Sequence, residues 1–104
     1  MTGLRAAIAA YCIDAPGSAE PRATHMKAHL AQVEAVMDKL LIAGPLKDES
    51  GAVISSLIVF GVDTLAEAQA LLDQDPYSGA GVWKEVRLER FIPVAGTLVG
   101  GRNW

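Results

Sequence analysis

Apolar and polar positions along the chain predict four strands. Short apolar runs of strand length occupy residues 4–13, 40–46 and 52–60. A fourth strand is predicted over residues 82–92, where apolar and charged side chains alternate with a period of two. The alanines of residues 4–13 would also suit a helix, but the length of this run and the turn signal that follows it favour a buried strand.

The first predicted helix covers residues 22–38, between the first and second strands. Apolar side chains recur in it at i, i+4, i+7 and i+11, so they form one stripe that we expect to face the core. This stripe consists of Met26, Leu30, Val33 and Met37. His29 lies beside the stripe, at the border of core and solvent, where a side chain is held firmly and is still accessible.

The second predicted helix begins at Thr64, because Thr64-x-x-Glu67 forms a capping box in which the two side chains satisfy free backbone N–H groups. Its predicted buried stripe consists of Leu65, Ala68 and Leu72. Pro76 prevents the helix from continuing, so residues 75–77 are predicted to form a rigid exit, followed by a flexible return over residues 78–81.

The resulting order, strand-helix-strand-strand-helix-strand, predicts an α+β fold of the ferredoxin-like βαββαβ type. This fold has a four-stranded antiparallel sheet with both helices on one face. Apolar residues on both faces of the central strands predict that the second face is buried, most simply by another copy of the chain in a homodimer that pairs through the sheet. The rival class is a helical bundle, if residues 4–13 are helical; two consecutive strands around the polar loop 47–51 argue against it.

Composition limits the classes of function. The chain has 104 residues, of which 51% are hydrophobic and 20% charged, and a net charge of −3. These values predict one folded domain over residues 1–92 with a tail over residues 93–104, and the lack of a Lys/Arg run argues against nucleic-acid binding. No apolar run approaches the roughly 18 residues of a membrane span, and no signal-peptide cleavage pattern follows the first strand. The single cysteine, Cys12, is predicted to be a small buried hydrophobe in a cytoplasmic protein.

Six segments, in this order, give the chain a resemblance to a known family that covers about residues 6–91. The segments are Asp14-x-Pro16-Gly17-Ser18, Arg22, His29-Leu30, Leu41-x-Ala43-Gly44-Pro45, Ser56-Leu57-Ile58-Val59 and Asp75-Pro76-Tyr77-x-x-Ala80-Gly81-Val82. With them the chain resembles the YciI-like (YCII-related) family of small dimeric α+β-barrel proteins. The family often has a proline shortly before its histidine, where this chain has Lys27.

The resemblance implies a site made of a His-Asp pair in a pocket beside the sheet, here His29 and Asp75, with Arg22 near the pocket. Most members of the family that the chain resembles have no known reaction, and one branch is associated with cofactor-free dehydrochlorination of a chlorinated hydroxyquinol. The substrate-binding residues predicted for this chain are Arg22, Gly44, Pro45, Ser56 and Tyr77.

Each of these residues has a structural and a functional interpretation. His29 would be a general acid/base, or a helix-border histidine bonded to a backbone carbonyl. Asp75 would orient the His29 ring, cap a helix, or do both. Arg22 would hold a substrate carboxylate or phenolate in bidentate fashion, or lie at the surface. Tyr77 would line the pocket or, as the pattern slightly favours, belong to the core.

A metal or nucleotide cofactor is not predicted. His25 and His29 are four residues apart and share a helix face, which suits two zinc ligands, but Met26 stands where a zincin has its glutamate and no third ligand is evident. No glycine-rich phosphate loop or Ser-His-Asp order occurs.

Two functions are consistent with these residues. One is a cofactor-independent enzyme of the lyase, dehydrochlorinase or isomerase type acting on a small cyclic or aromatic acid. The other is a non-catalytic dimeric module that binds a small molecule. A third, purely structural role would use residues 93–104 to assemble an oligomer.

Overall fold

The order of elements follows the predicted βαββαβ pattern. The computed structural model describes residues 6–102. Four long strands and two helices make up its main body, a third short helix follows the second, and two very short strands lie near the end. The elements are β1 (Ala7–Asp14), α1 (Ala19–Ala35), β2 (Leu40–Lys47), β3 (Val53–Phe60), α2 (Leu65–Asp73), α3 (Pro76–Gly79), β4 (Trp83–Phe91), β5 (Ala95–Gly96) and β6 (Gly101–Arg102).

The main sheet is antiparallel and has the order β2-β3-β1-β4. Strand β1 therefore pairs with both β3 and β4, and Cys12 stands opposite Ser56 on one side and Val86 on the other. Residues that pair across strands share a face of the sheet. The predicted ferredoxin-like α+β fold is confirmed, with β1 and β3 at the centre. The first residues of the predicted first strand, Leu4 and Arg5, lie outside the described residues.

Strand β2 is an edge strand that continues through Pro45 to Lys47. A proline has no N–H to donate, and an edge strand tolerates it because one side of the strand has no partner. The strand predicted over residues 40–46 is therefore confirmed with one more residue, and Pro45 lies within it. The predicted hairpin loop follows, in which Asp48 Oδ1 accepts bonds from the backbone N–H groups of Ser50 and Ala52.

Helix α1 begins at Ala19, three residues earlier than predicted, and ends at Ala35. Pro21 is tolerated in the first turn because the N–H groups there have no partner within the helix. The predicted burial of the helix stripe is wrong, since Met26 is 42% and Leu30 53% exposed. A cavity separates this side of the helix from the sheet, and Met26, Leu30 and Val33 line it instead of packing in the core.

Helices α2 and α3 form the second helical segment. The Thr64 side chain accepts a hydrogen bond from the Glu67 N–H, as the capping box predicts, and the Glu67 carboxylate accepts from the Thr64 hydroxyl rather than from its N–H. Ala68 and Leu72 are buried, but Leu65 is exposed, which corrects the predicted stripe. The predicted flexible return after Tyr77 is instead a helical turn over Pro76–Gly79.

The two faces of the sheet differ in composition. The helix-side face carries the core, which consists of Ile8, Ala10, Cys12, Ile58, Phe60, Val62, Ala68 and Leu72. On the opposite face, Tyr11, Ile42, Leu46 and Leu57 are apolar and exposed around β1, β2 and β3. Strand β4 adds the exposed pair Glu85–Arg87 to this outer face. The outer face is thus apolar at one end and charged at the other.

The predicted tail contains a small hairpin, in which β5 pairs with β6 around a turn at Thr97–Val99. Leu98 in this turn is 83% exposed. Trp104, the last residue of the predicted tail, lies outside the described residues. Within residues 6–102, no helix is both long and apolar enough to cross a membrane.

Candidate functional site

A cavity of about 240 Å³ lies between α1, the α2–α3 segment and the helix-side face of β2 and β3. This is somewhat below the roughly 300–1,000 Å³ typical of small-molecule sites. Most of its lining is apolar, and its polar lining residues are Arg22, His29, Gln32, Ser56, Asp75 and Tyr77. All seven residues predicted for the site, including Gly44 and Pro45, line this one cavity.

The structure brings His29 and Asp75 into contact, although they are 46 positions apart in the chain. Nδ1 of His29 lies 2.9 Å from Oδ1 and 2.8 Å from Oδ2 of Asp75. A carboxylate only accepts hydrogen bonds, so Nδ1 carries the proton of this contact and a neutral ring has its lone pair on Nε2. Within residues 6–102, Nε2 makes no hydrogen bond, and the His29 side chain is 17% exposed at the cavity.

Asp75 is held by the start of α3. It is the N-cap residue, and its Oδ1 accepts a bond of 2.9 Å from the Tyr77 N–H. Pro76 follows at the first helical position, where its fixed φ suits the helix and its missing N–H costs nothing. Both sequence interpretations of Asp75 are therefore realised in its contacts, because the same carboxylate caps a helix and bonds to the histidine.

Tyr77 packs against the His29–Asp75 pair. Its ring stacks on the His29 ring with centroids 3.9 Å apart and an angle of 6° between the planes, and it meets Trp83 edge to face. Its hydroxyl donates to the Arg22 backbone carbonyl at 3.1 Å. Burial raises the pKa of Tyr77, although the nearby Arg22 guanidinium acts in the opposite direction. The residue is 1% exposed, so it belongs to the core and lines the cavity as well.

Arg22 is the one buried residue of α1, and its charge is compensated by Asp14. Nε and Nη2 each bond to an oxygen of the Asp14 carboxylate at 2.7 Å. The hydrogen bond to Asp14 raises the pKa of Arg22 against the effect of burial. Burial alone would raise the pKa of Asp14, but hydrogen bonds from Arg22 and Ser18 outweigh it and the pKa is lowered. The Nε–Nη2 edge of the guanidinium is therefore already occupied by Asp14.

Ser56 connects this ion pair to the cavity. Its Oγ accepts a bond of 2.9 Å from Arg22 Nη2, and it is buried on β3 opposite Pro45. Gly44 and Pro45 form part of the wall from β2. A Cβ added at Gly44 would meet nothing within 4 Å.

Sequence reasoning missed the partners of Arg22. Asp14 and Ser18 were noted only as part of a turn segment, yet Ser18 Oγ donates to Asp14 at 2.6 Å and both residues are buried. The available signal was an aspartate directly after an apolar strand, which requires a partner if the strand is buried. The apolar wall of the cavity was missed because its residues were assigned to the core.

Cys12 is completely buried on β1, as predicted. Burial is the largest cause that raises the pKa of its thiol to about 12, and Asp75 contributes in the same direction. His25 does not line the cavity. Among residues 6–102, no group of three His, Cys, Asp or Glu side chains is arranged to hold a metal ion.

Comparison with known proteins identifies the family. The model of the YCII-related domain matches residues 6–92. The chain belongs to the YCII-related family. It is 35% identical over 92 aligned positions to the protein YciI of Escherichia coli O6:H1, with 81% of this chain and 94% of the relative covered. YciI of Shigella flexneri matches with the same identity and coverage.

A solved structure shares the YCII-related fold of this chain. It is the 5-chloro-2-hydroxyhydroquinone dehydrochlorinase TftG from Burkholderia phenoliruptrix AC1100, in complex with 2,5-dihydroxybenzoquinone. The TM-score is 0.75, with 24% sequence identity, and the match covers 88% of this chain and 96% of TftG. At this identity the similarity establishes the fold.

Proposed function

We propose that this protein is a cofactor-independent enzyme in which His29 acts as general base and then general acid on a small cyclic or aromatic molecule. The observation that carries the proposal is the contact of His29 Nδ1 with Asp75 at 2.8 Å, which leaves Nε2 for the cavity. The carboxylate fixes the ring tautomer and stabilises the imidazolium that forms when Nε2 takes a proton. TftG, with the same fold, is named as a dehydrochlorinase, which supports a lyase-type reaction.

The proposed step is abstraction of a proton by Nε2. The electron pair of the broken bond to hydrogen then forms a new π bond in the substrate. In an elimination, the leaving group departs from the neighbouring carbon with its bonding pair, as chloride does in a dehydrochlorination. In an isomerisation, the imidazolium returns the proton to a different carbon. Neither route requires a redox partner.

The test is release of chloride from 5-chloro-2-hydroxyhydroquinone, and we expect His29→Asn to lower the rate by about 10²–10⁴-fold, the usual contribution of a positioned acid/base. His25→Asn is the matched control, since it changes the same residue type one turn away on α1, outside the cavity. Equal rates of chloride release for wild type and His29→Asn would contradict the proposed role of His29 as the general acid/base. Isomerisation is assayed on the same variants by following deuterium exchange into enolisable cyclic ketones.

The competing function is a binding module. If a ligand binds in the cavity without turnover and His29→Asn weakens its binding, the cavity binds and does not transform. If His29→Asn abolishes turnover and leaves affinity nearly unchanged, the enzyme is supported. Isothermal titration and product analysis on the same protein samples separate these results.

We also propose that the protein is a cytoplasmic homodimer that pairs through the outer face of the sheet. Exposed apolar side chains from three neighbouring strands meet there, including Leu57, which is 38% exposed. Such a face is usually covered in solution. Two leucines test the alternatives, because Leu57→Glu should give a monomer by light scattering whereas Leu98→Glu in the tail hairpin should not. A monomer from Leu98→Glu alone would transfer the assembly role to the tail.

A further inference from the structure

The charges around the cavity limit the class of ligand. Arg22 is the only Lys or Arg among the described residues that line it, and its guanidinium is paired edge-on with Asp14. Asp75 adds a negative charge, which a protonated His29 only balances. The two pairs therefore carry no net positive charge in either protonation state of His29. A carboxylate or phosphate that entered would lose its hydration without gaining a counter-charge.

Two of the polar groups that line the cavity are neutral, one a donor and the other an acceptor. Ser56 Oγ accepts from Arg22, so its own hydroxyl proton remains available, and among residues 6–102 no acceptor takes it. His29 Nε2 is the acceptor in the neutral ring. These groups match a molecule with one weakly acidic hydroxyl or C–H group and one uncharged oxygen nearby.

Apart from Gln32, the remaining side chains of the lining are apolar, and part of this apolar lining lies further along α1. Val33 and Val36 follow His29 by about one and two helical turns. They face Leu40 and Phe60 from the sheet side and Leu71 from α2 across the same cavity. A ligand whose polar end contacts His29 therefore places an apolar body against these side chains.

We propose that the ligand of this site is an uncharged hydroxy-carbonyl compound with an apolar body, rather than a carboxylic acid. This inference rests on the proposed function for its choice of site, but it concerns recognition rather than turnover. It revises the sequence-based expectation of a small cyclic or aromatic acid. Arg22 makes its bidentate contact with Asp14 instead of with a substrate. It also donates to Ser56 Oγ, which directs the Ser56 hydroxyl proton to another acceptor.

The test compares two probes of nearly equal shape, 2-hydroxyacetophenone and salicylate, which differ by a methyl ketone in place of a carboxylate. Binding is followed at pH 8 by amide chemical-shift titration of the full chain. We expect the ketone to bind at least about tenfold more tightly, because only the carboxylate is desolvated beside Asp75 without a partner. Equal or tighter binding of salicylate overturns the proposal, as does a lack of binding by the ketone.

A charge substitution sharpens this test. Asp14→Asn frees the charge of Arg22 and should shift the preference by about tenfold toward salicylate. Glu85→Gln is the matched control, because it also removes one negative charge and frees an arginine, Arg87, on the exposed outer face. A similar shift in both variants would show a general charge effect and overturn the assignment. If Asp14→Asn does not fold, Ser56→Ala is the second variant, and it should weaken binding of the ketone by about tenfold while the Arg22–Asp14 pair stays intact. Unchanged affinity for the ketone would overturn the donor role of Ser56.

The apolar body has its own readout. 1-Hydroxy-2-acetonaphthone keeps the polar end of the ketone probe and adds a second ring, so we expect it to bind about tenfold more tightly than 2-hydroxyacetophenone. Weaker binding contradicts the apolar half of the proposal. None of these titrations needs turnover. An inactive protein that prefers the ketones would refute the enzyme alone, and an active one that prefers salicylate would refute this inference alone.

Discussion

Two carboxylates, Asp14 and Asp75, bind basic side chains of the same helix, yet the two pairs are built differently. Asp14 holds Arg22 along the edge of its guanidinium and also accepts from Ser18, so both of its oxygens accept hydrogen bonds. Asp75 holds His29 through one ring nitrogen, and the other nitrogen makes no hydrogen bond within residues 6–102, in a side chain that lines the cavity. Both pairs are largely buried, with Asp14 and Asp75 side chains 5% and 8% exposed.

This difference is the reason why we propose a structural role for the Arg22 pair and a chemical role for the His29 pair. In the Arg22 pair, both partners keep their charges near neutral pH and neither exchanges a proton. The pair connects α1 to β1 through Asp14 and to β3 through Ser56. In the proposed mechanism, the His29 ring takes and returns a proton at Nε2 while Asp75 holds its orientation. Tyr77 touches both pairs, since it stacks on His29 and its hydroxyl binds the Arg22 carbonyl.

The largest expected effect comes from breaking the Asp14 pair. Asp14→Ala leaves a buried arginine without its counter-ion, which should lower the free energy of unfolding by about 3–5 kcal/mol. Urea denaturation measures it. The control is Glu85→Ala, which breaks a contact of the same 2.7 Å length on the exposed face and should change stability very little. Equal effects of the two substitutions would contradict the structural role of Asp14.

Cys12 lies near both pairs and reports on their burial. Its thiol has a raised pKa of about 12, so the neutral form is favoured in the folded protein. Stability from this group is complete below the ordinary thiol pKa of about 8.5 and is lost progressively as the pH rises toward the folded value. Wild type should therefore lose more stability between pH 8 and pH 10 than Cys12→Ala. Identical alkaline slopes would contradict the burial of the thiol.

A smaller effect is expected from the link between the pairs. Tyr77→Phe removes the hydroxyl that donates to the Arg22 carbonyl, which should cost about 0.5–1.5 kcal/mol in urea denaturation. The ring stack on His29 should persist, so the His29 ring proton shifts should stay close to those of wild type. Tyr77→Leu is the control that removes the stacked ring. Loss of the His29 shifts in Tyr77→Phe would show that the hydroxyl, and not the ring, positions the dyad.

The smallest effect concerns acid. The pKa of Asp14 is lowered in the folded protein, so its contribution to stability is present above the unfolded value of about 3.9 and is lost as the pH falls through the lower folded value. Asp14→Asn should flatten the decline of stability below pH 4. An unchanged decline in this variant would assign the acid sensitivity to other carboxylates.

The fold could be predicted from the sequence more completely than the packing of side chains. Alternation in β4 and the capping box at Thr64 are local signals, and both led to the correct elements. The helix stripe was misassigned because an apolar face looks the same whether it meets a core or a cavity, and only the distance between α1 and the sheet decides. The start of α1 was missed because Pro21 reads as a break, although the first helical turn accepts it.

The candidate site divides in the same way. His29 and Asp75 were paired through a resemblance, since no local pattern joins positions 46 residues apart. The sequence did not reveal Asp14 as the partner of Arg22, because a pairing between a helix and a strand depends on how α1 packs against β1.

The most direct test of the His29–Asp75 account is the tautomer of the His29 ring, read from its two imidazole ¹⁵N chemical shifts at pH 8 in wild type and Asp75→Asn. We predict that Nδ1 carries the proton in the wild type and that Nε2 is bare, because Asp75 can only accept. In Asp75→Asn the amide can also donate, so the preference for protonated Nδ1 should weaken. A wild-type ring with its proton on Nε2 and a bare Nδ1 would contradict the account, because the nitrogen assigned to the chemistry would be the wrong one.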